Sequence, residues 1–244
     1  MKAIRGGAGL GDSIYMQSVV RHLGGELEVC TNYPDVFRGL NVKLSPFRKT
    51  NIQILAHYSM RKGVQGTTQF EDVCHTAGIR EPVDLRLDWT PTSDPGIEGP
   101  FLCVQLPRTP MGRTDGFGKE LLPDCRVIQR LIDKAKDRYT IVQIGSGEPL
   151  YRFTGIDVDL ANQTTVAQLI DVVNASDACL GYPSFIVPLA ESLDKPVTVV
   201  WSRRGLKAAH EYVRRITPAK VLHKKSSRYL IDDATEEQIA QALM

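Results

Sequence analysis

Residues 164–201 read TTVAQLIDVVNASDACLGYPSFIVPLAESLDKPVTVVW. Val166, Leu169, Ile170 and Val173 repeat with the spacing of one helix face. Ala178–Leu180 then reads as a short strand, Ser184–Leu193 as a second helix, and Val197–Trp201 as an apolar strand behind Pro196. Helix and strand alternating over short connections is the pattern of an α/β sheet protein.

The same alternation extends in both directions. Upstream, strands at Phe101–Leu106 and Tyr139–Ile144 flank a helix at Asp124–Ala135, and downstream Ala234–Leu243 reads as a closing helix. At the start of the chain, Ala3-Ile4-Arg5 runs as a strand into the glycine loop Gly6-Gly7-Ala8-Gly9-Leu10-Gly11-Asp12. A helix with Ile14, Met16, Val19, Val20 and Leu23 on its apolar face follows and ends at Gly24-Gly25. Leu27–Cys30 and Asn51–Leu55 read as strands, and Phe70–Ala77 as a helix stopped by Gly78. Between the halves, residues 88–100 hold three prolines and two glycines, which neither a helix nor a central strand tolerates. The expectation is an interdomain linker joining two sequential α/β units, 1–95 and 96–244.

Composition narrows the function. The 244 residues carry 30 Lys and Arg against 28 Asp and Glu, a formal net charge of +2. That balance excludes a histone-like, wholly electrostatic nucleic-acid binder. No window approaches ~18 consecutive apolar residues, so no transmembrane segment is expected, and the start lacks the apolar run of a secretion signal. Five cysteines (30, 74, 103, 125 and 179), without a C-x-x-C pair, suggest reduced, buried thiols in a cytoplasmic protein.

Glycines between a first strand and its helix let backbone approach a phosphate, and the helix N-terminus adds N–H donors. Gly7-x-Gly9-x-Gly11 therefore admits a nicotinamide or S-adenosylmethionine reading. A dinucleotide fold also uses an acidic residue at the end of strand two, where this chain has Cys30-Thr31-Asn32. Asp12 begins the first helix, as an N-terminal cap, as a general base at the mouth of the sheet, or as both.

Three stretches together resemble glycosyltransferase family 9, the heptosyltransferase-like group with the GT-B fold. GDSIYMQSVVRHL (11–23) resembles that family's opening Gly-Asp motif and helix. Gly145-Ser146-Gly147-Glu148 resembles its Gly-Gly-x-x-Glu turn. Residues 164–201 resemble its run of a helix, "AD-x-x-x-G-x-x-S", "LA-x-x-L-x-x-P-V" and a final strand. The resemblance implies two Rossmann-like domains in the GT-B arrangement, with a cleft between them and a shortened N-terminal domain. It also implies metal-independent transfer of a sugar from a nucleotide-diphosphate donor to a hydroxyl acceptor. The donor would lie chiefly on the C-terminal half and the acceptor on the N-terminal half. No cofactor is implied beyond the nucleotide-sugar co-substrate.

In that picture Asp12 is the catalytic base, and Gly9, Gly11, Arg108, Thr109, Arg113, Gly147, Glu148, Gly181, Tyr182 and Ser184 surround the donor. Arg108 and Arg113 suit phosphate oxygens, or are solvated loop arginines, with Lys119 a weaker candidate in the same loop. Glu148 would meet the base or ribose, or is a surface carboxylate. Ser184 would offer its hydroxyl and N–H to the diphosphate, or caps its helix. The chain departs from the family at Tyr182-Pro183 and at Phe185-Ile186-Val187-Pro188, where the family's acidic residue and His are missing. Tyr182 and Phe185 either stack on the ligand or pack against the sheet.

Other signals carry less. Asp157-Val158-Asp159 has the form of a metal-binding Asp-x-Asp, but the order of elements fits the metal-independent fold. The five histidines show no ligand spacing, and neither a G-x-S-x-G elbow nor a G-x-x-x-x-G-K-[ST] loop occurs. Residues 203–228, with Tyr212 among them and Tyr229 next to them, hold five Arg and four Lys against Glu211 alone. They form a solvated face or a contact for a polyanion: donor diphosphate, acidic glycan or nucleic-acid backbone. The acceptors considered are a surface saccharide such as lipopolysaccharide core and a hydroxylated DNA base. The alternatives are a non-catalytic sugar-nucleotide binding module and a nicotinamide- or S-adenosylmethionine-dependent enzyme.

Overall fold

The computed structural model describes residues 1–58, 68–108 and 120–242. Thr109, Arg113 and Lys119 lie outside the described residues. Two all-parallel sheets organise the chain. The first contains β1 (Lys2–Gly6), β2 (Leu27–Thr31), β3 (Val42–Pro46) and β4 (Ile54–Ala56), in the order β3-β2-β1-β4. The second contains β5 (Phe101–Gln105), β6 (Thr140–Ile144), β7 (Val158–Asp159), β8 (Ala178–Gly181), β9 (Val197–Trp201) and β10 (Arg228–Ile231). Its order, β10-β9-β8-β5-β6-β7, is that of a doubly wound sheet whose direction reverses between β5 and β8. The first sheet has the same reversal, between β1 and β4, but stops at four strands.

Strand identity follows burial. FLCVQ of β5 and VTVVW of β9 are buried at every residue, as strands covered on both faces must be, so they read as continuous apolar runs. The strands that sequence reading missed, β3, β7 and β10, are edges or short. Lys43 and Ser45 of β3 face Glu28 of β2, whose buried carboxylate also takes Lys49, so a polar alternation conceals a strand.

The helices are α1 (Leu10–Leu23), α2 (Gln69–Thr76), α3 (Cys125–Ala135), α4 (Val166–Ala175) and α5 (Ile186–Ser192). Three short ones, α6 (Arg203–Leu206), α7 (Glu211–Arg215) and α8 (Pro218–Val221), precede β10, and α9 (Glu236–Ala242) follows it. Helices α1 and α5 pack together across the two sheets, and one apolar core runs through both, from Ile4 and Val29 to Val187 and Val199. Gly11 makes the approach close: a Cβ there would lie 3.0 Å from Pro188 Cγ and 3.4 Å from Phe185 Cα.

Two crossing segments flank this helix pair. The proline-rich connection is fixed to both halves: Ser18 Oγ donates to Arg86 O at 2.9 Å and Leu87 N–H donates to Ser192 O at 2.9 Å. Further along it, Asp171 of α4, only 2 % exposed, accepts from Trp89 Nε1 at 2.8 Å, Thr92 Oγ1 at 2.6 Å and Ser93 Oγ at 2.9 Å. On the other side, the fully buried Glu191 of α5 accepts from the N–H groups of His223 and Lys224, at 2.9 and 3.1 Å, and from Ser227 Oγ at 2.5 Å. His223 Nε2 in turn meets the Tyr15 hydroxyl of α1 at 3.1 Å, with the Phe70 ring packed edge-on against the imidazole. The chain thus returns from the second sheet to seat on the first.

All five cysteines are free and buried. Among the described residues no helix is long and apolar enough to cross a membrane.

Candidate active site

Open α/β sheets place ligands beyond the carboxyl ends of their strands, at the point where strand order reverses. Each sheet here has one such point, and the sequence-selected residues fall on both.

At the first, β1 delivers the glycine loop and β4 delivers His57 and Tyr58, because Gly6 pairs with Ala56. Gly9 is the N-cap of α1, and Asp12, three residues on, folds back so that its Oδ2 accepts the Gly9 N–H at 2.9 Å. The glycines make room for this carboxylate. A Cβ on Gly7 would lie 2.4 Å from Asp12 Cγ, and one on Gly9 would lie 3.0 Å from Oδ2. Asn32 Nδ2 closes the loop from β2 by donating to Ala8 O at 3.2 Å. Burial raises the Asp12 pKa, opposed by the Gly9 N–H, the charge of His57 and a hydrogen bond from Tyr58. The carboxylate is therefore both a partner of the helix start and a base strengthened by desolvation. It also disfavours a dinucleotide at this loop, since an anion already occupies the N–H that a phosphate would need. Gly9 and Gly11 serve the carboxylate and the α1–α5 contact.

At the second reversal point, β5 ends at Gln105 and β8 at Gly181. Tyr182 is buried, 4 % exposed, and its hydroxyl accepts the Arg108 N–H at 3.1 Å and donates to Arg108 O at 3.0 Å. Burial pushes its pKa up to about 12. Tyr182 thus packs at the exit of β5 and holds it. Arg108 lies across the turn after β6, donating to Ser146 O. A Cβ on Gly147, which sits at φ +103°, would fall 2.6 Å from Arg108 Nη1. That turn is clamped by Asn162, whose Oδ1 accepts the Gly147 N–H at 2.6 Å and whose own N–H donates to Gly145 O at 2.8 Å. Sequence reading missed Asn162. Its left-handed φ of 62° is a role Asn fills more readily than most residues, but nothing local announces it. Glu148 is exposed beside this turn.

Ser184 was expected as a possible helix cap, yet Phe185 is the N-cap residue and the Ser184 hydroxyl caps nothing. Gly11, next to Asp12, touches Phe185, next to Ser184, so the starts of α1 and α5 meet. Asp157 and Asp159 hold the edge strand instead: Asp157 accepts the Ile141 N–H at 2.8 Å and Asp159 accepts Gln143 Nε2 at 3.0 Å. Among the described residues, no group of three His, Cys, Asp or Glu is arranged to hold a metal. Within the basic segment, Arg203, Arg215 and Lys224 form ion pairs with Asp233, Glu211 and Asp194.

No family model matches the chain, and no curated protein matches it in sequence. Solved structures do match. The iron-containing glycosyltransferase TibC from enterotoxigenic E. coli H10407 superposes with a TM-score of 0.63 at 14% identity, over 92% of this chain and 61% of that one. The chain thus spans less than two thirds of TibC. E. coli ADP-heptose lipopolysaccharide heptosyltransferase II matches with a TM-score of 0.62 at 12% identity, over 100% of this chain and 97% of that one. A family 9 glycosyltransferase from Veillonella parvula matches at 0.63 and 8% identity, over 94% and 85%. The fold of this chain is that of the heptosyltransferases and family 9 glycosyltransferases.

Proposed function

We propose that the chain is a GT-B-type glycosyltransferase that moves a sugar from a nucleotide-diphosphate donor to a hydroxyl acceptor. Its halves, divided near residue 95, form the acceptor side and the donor side of a cleft. The observation that carries this reading is the Asp12 carboxylate. It is held at the reversal point of the first sheet by a loop whose glycines leave space for it, and the residue before it, Gly11, touches the donor loop of the second.

Asp12 takes the proton of the acceptor hydroxyl as that oxygen attacks the anomeric carbon. The bond from that carbon to the diphosphate breaks, and the leaving diphosphate carries off the negative charge. Arg108, above the Gly145–Glu148 turn, meets that charge without a metal, joined by Thr109 and Arg113 of the following loop. Glu148 reaches the ribose or base from the turn, and the Ser184 N–H meets the diphosphate. The acceptor is a hydroxyl of a surface saccharide, such as lipopolysaccharide core, or of a hydroxylated DNA base. A polyanionic acceptor would meet the exposed Arg204, Lys207 and Lys225.

A non-catalytic sugar-nucleotide binding module is favoured by one observation, the absence of a carboxylate and a His between Gly181 and Pro188. A thermal-shift screen of nucleoside diphosphates and nucleotide-sugars, beside NAD and S-adenosylmethionine, tests both readings through the stabilisation that binding must produce. A rise in midpoint with one nucleoside diphosphate and its sugar supports the proposal. A rise with NAD or S-adenosylmethionine alone overturns it.

A further inference from the structure

Buried polar atoms in a folded protein are almost always hydrogen-bonded, because leaving one unpaired costs its full desolvation. Among the described residues, two buried side-chain polar atoms have no partner: Gln105 Oε1 and Ser184 Oγ. Both sit where β5 and β8 diverge, Gln105 as the last residue of β5 and Ser184 three residues beyond the end of β8. Gly181 keeps this place open for the carboxamide: a Cβ there would lie 2.7 Å from Gln105 Oε1. Gln105 is 2 % exposed and Ser184 is half-buried, and both orphan atoms are themselves buried.

The chemistry of the two atoms restricts what completes them. A carboxamide oxygen only accepts, so a phosphate oxygen has nothing to offer it, whereas a hydroxyl does. Ser184 Oγ both donates and accepts. The first sheet approaches this same edge through the Gly11–Phe185 contact, and Asp12 is the next residue along the chain. The reacting sugar has to lie between Asp12 and the diphosphate. Resting on the glycosyltransferase reading above, we infer that Gln105 and Ser184 form the subsite for a hydroxyl of the transferred sugar. In this subsite Gln105 Oε1 accepts a hydrogen bond from the sugar hydroxyl and the Ser184 hydroxyl rotates to complete it. Gln105 then sets donor specificity in place of the acidic residue that the loop 182–188 lacks.

The test is calorimetric titration of wild type, Gln105→Leu and Ser184→Ala with the nucleotide-sugar that binds and with its nucleoside diphosphate alone, beside the melting temperature of each free protein. Gln105→Leu removes the unpaired buried oxygen together with the side-chain hydrogen bond to Tyr182, so its melting temperature serves as the check that the variant is folded. Its affinity for the nucleotide-sugar falls roughly 3- to 10-fold, the worth of one neutral hydrogen bond, and its affinity for the nucleoside diphosphate stays within about 2-fold. Ser184→Ala follows the same split, which keeps the test alive if Gln105→Leu does not fold. Equal affinity of the variants for the nucleotide-sugar, or an equal loss for both ligands, overturns the sugar subsite while leaving the glycosyltransferase reading intact. If neither ligand binds wild type, that reading fails, and the subsite with it.

Discussion

Gly7→Ala isolates the relation between the glycine loop and Asp12. The added Cβ would lie 2.4 Å from Asp12 Cγ and 2.8 Å from Oδ1. Van der Waals contact needs about 3.5 Å, so the carboxylate must retreat by about 1 Å. A misplacement of that size costs on the order of 100-fold in rate, or about 2.7 kcal/mol of transition-state stabilisation. Stability suffers less. The retreat breaks the Asp12–Gly9 bond at the start of α1, worth about 1 kcal/mol, which lowers the melting temperature of a chain this size by about 2–4 °C. The assay is release of nucleoside diphosphate from the bound nucleotide-sugar with acceptor present, beside the affinity for donor. The expected signature is a turnover loss on the order of 100-fold, donor affinity unchanged, and a small fall in melting temperature. Gly9→Ala, whose Cβ would approach Oδ2 at 3.0 Å, should lose less. Adding Gly7→Ala to Asp12→Asn should cost little more than Asp12→Asn alone, because both act on one group. Turnover of Gly7→Ala within about 3-fold of wild type, with the loop intact, would refute the placement of Asp12 as the base.

Glu191→Ala should destabilise by about 3–5 kcal/mol, read by urea denaturation, because it strands the N–H groups of His223 and Lys224 in a buried site. A loss below about 1 kcal/mol would mean that the returning segment does not tie the halves together. Burial depresses the His223 pKa from 6.5 to about 4, so the unfolded chain binds the extra proton between those values. The sign follows: the contribution is fully present above pH ~6.5 and is lost as the pH falls through about 4, by about 3 kcal/mol in all. His223→Gln should flatten that part of the stability–pH curve, and an unchanged slope would contradict the burial of the ring. Gly147→Ala forces a side chain at φ +103° and pushes Arg108 from its seat, so nucleoside diphosphate affinity should fall roughly 10-fold by calorimetry. Unchanged affinity would remove Arg108 from the phosphate site.

The parts of the fold legible in the sequence were those set by local pattern. Val166, Leu169, Ile170 and Val173 share one helix face, and β5 and β9 read as continuous apolar runs because both of their faces are covered. Edge strand β3 was not legible, since its buried partner is the Glu28 carboxylate and its own residues alternate with Lys43 and Ser45. The stretch 88–100 was read as a linker from its prolines, but its attachment to Asp171 lies some eighty residues away in sequence. The candidate site divides in the same way. Asp12 was visible because glycine loop, helix start and carboxylate are adjacent in the chain. Asn162, which clamps the Gly145–Glu148 turn, and Gln105, whose unpaired oxygen packs against Gly181 three strands later in sequence, become visible only through tertiary contact. Ser184 was found, but its distinguishing property is a hydroxyl that caps nothing, which spacing does not reveal.

The most direct test of the account compares wild type with Asp12→Asn, once screening has identified the nucleotide-sugar that binds. Donor affinity is measured by calorimetry, and nucleoside diphosphate release is followed with acceptor present. The account predicts equal donor affinity and a turnover loss on the order of 100- to 10,000-fold for Asp12→Asn, the range spanned by a general base. Turnover equal to wild type would contradict the role of Asp12, and donor binding by a wild type that never releases nucleoside diphosphate would make the chain a binding module.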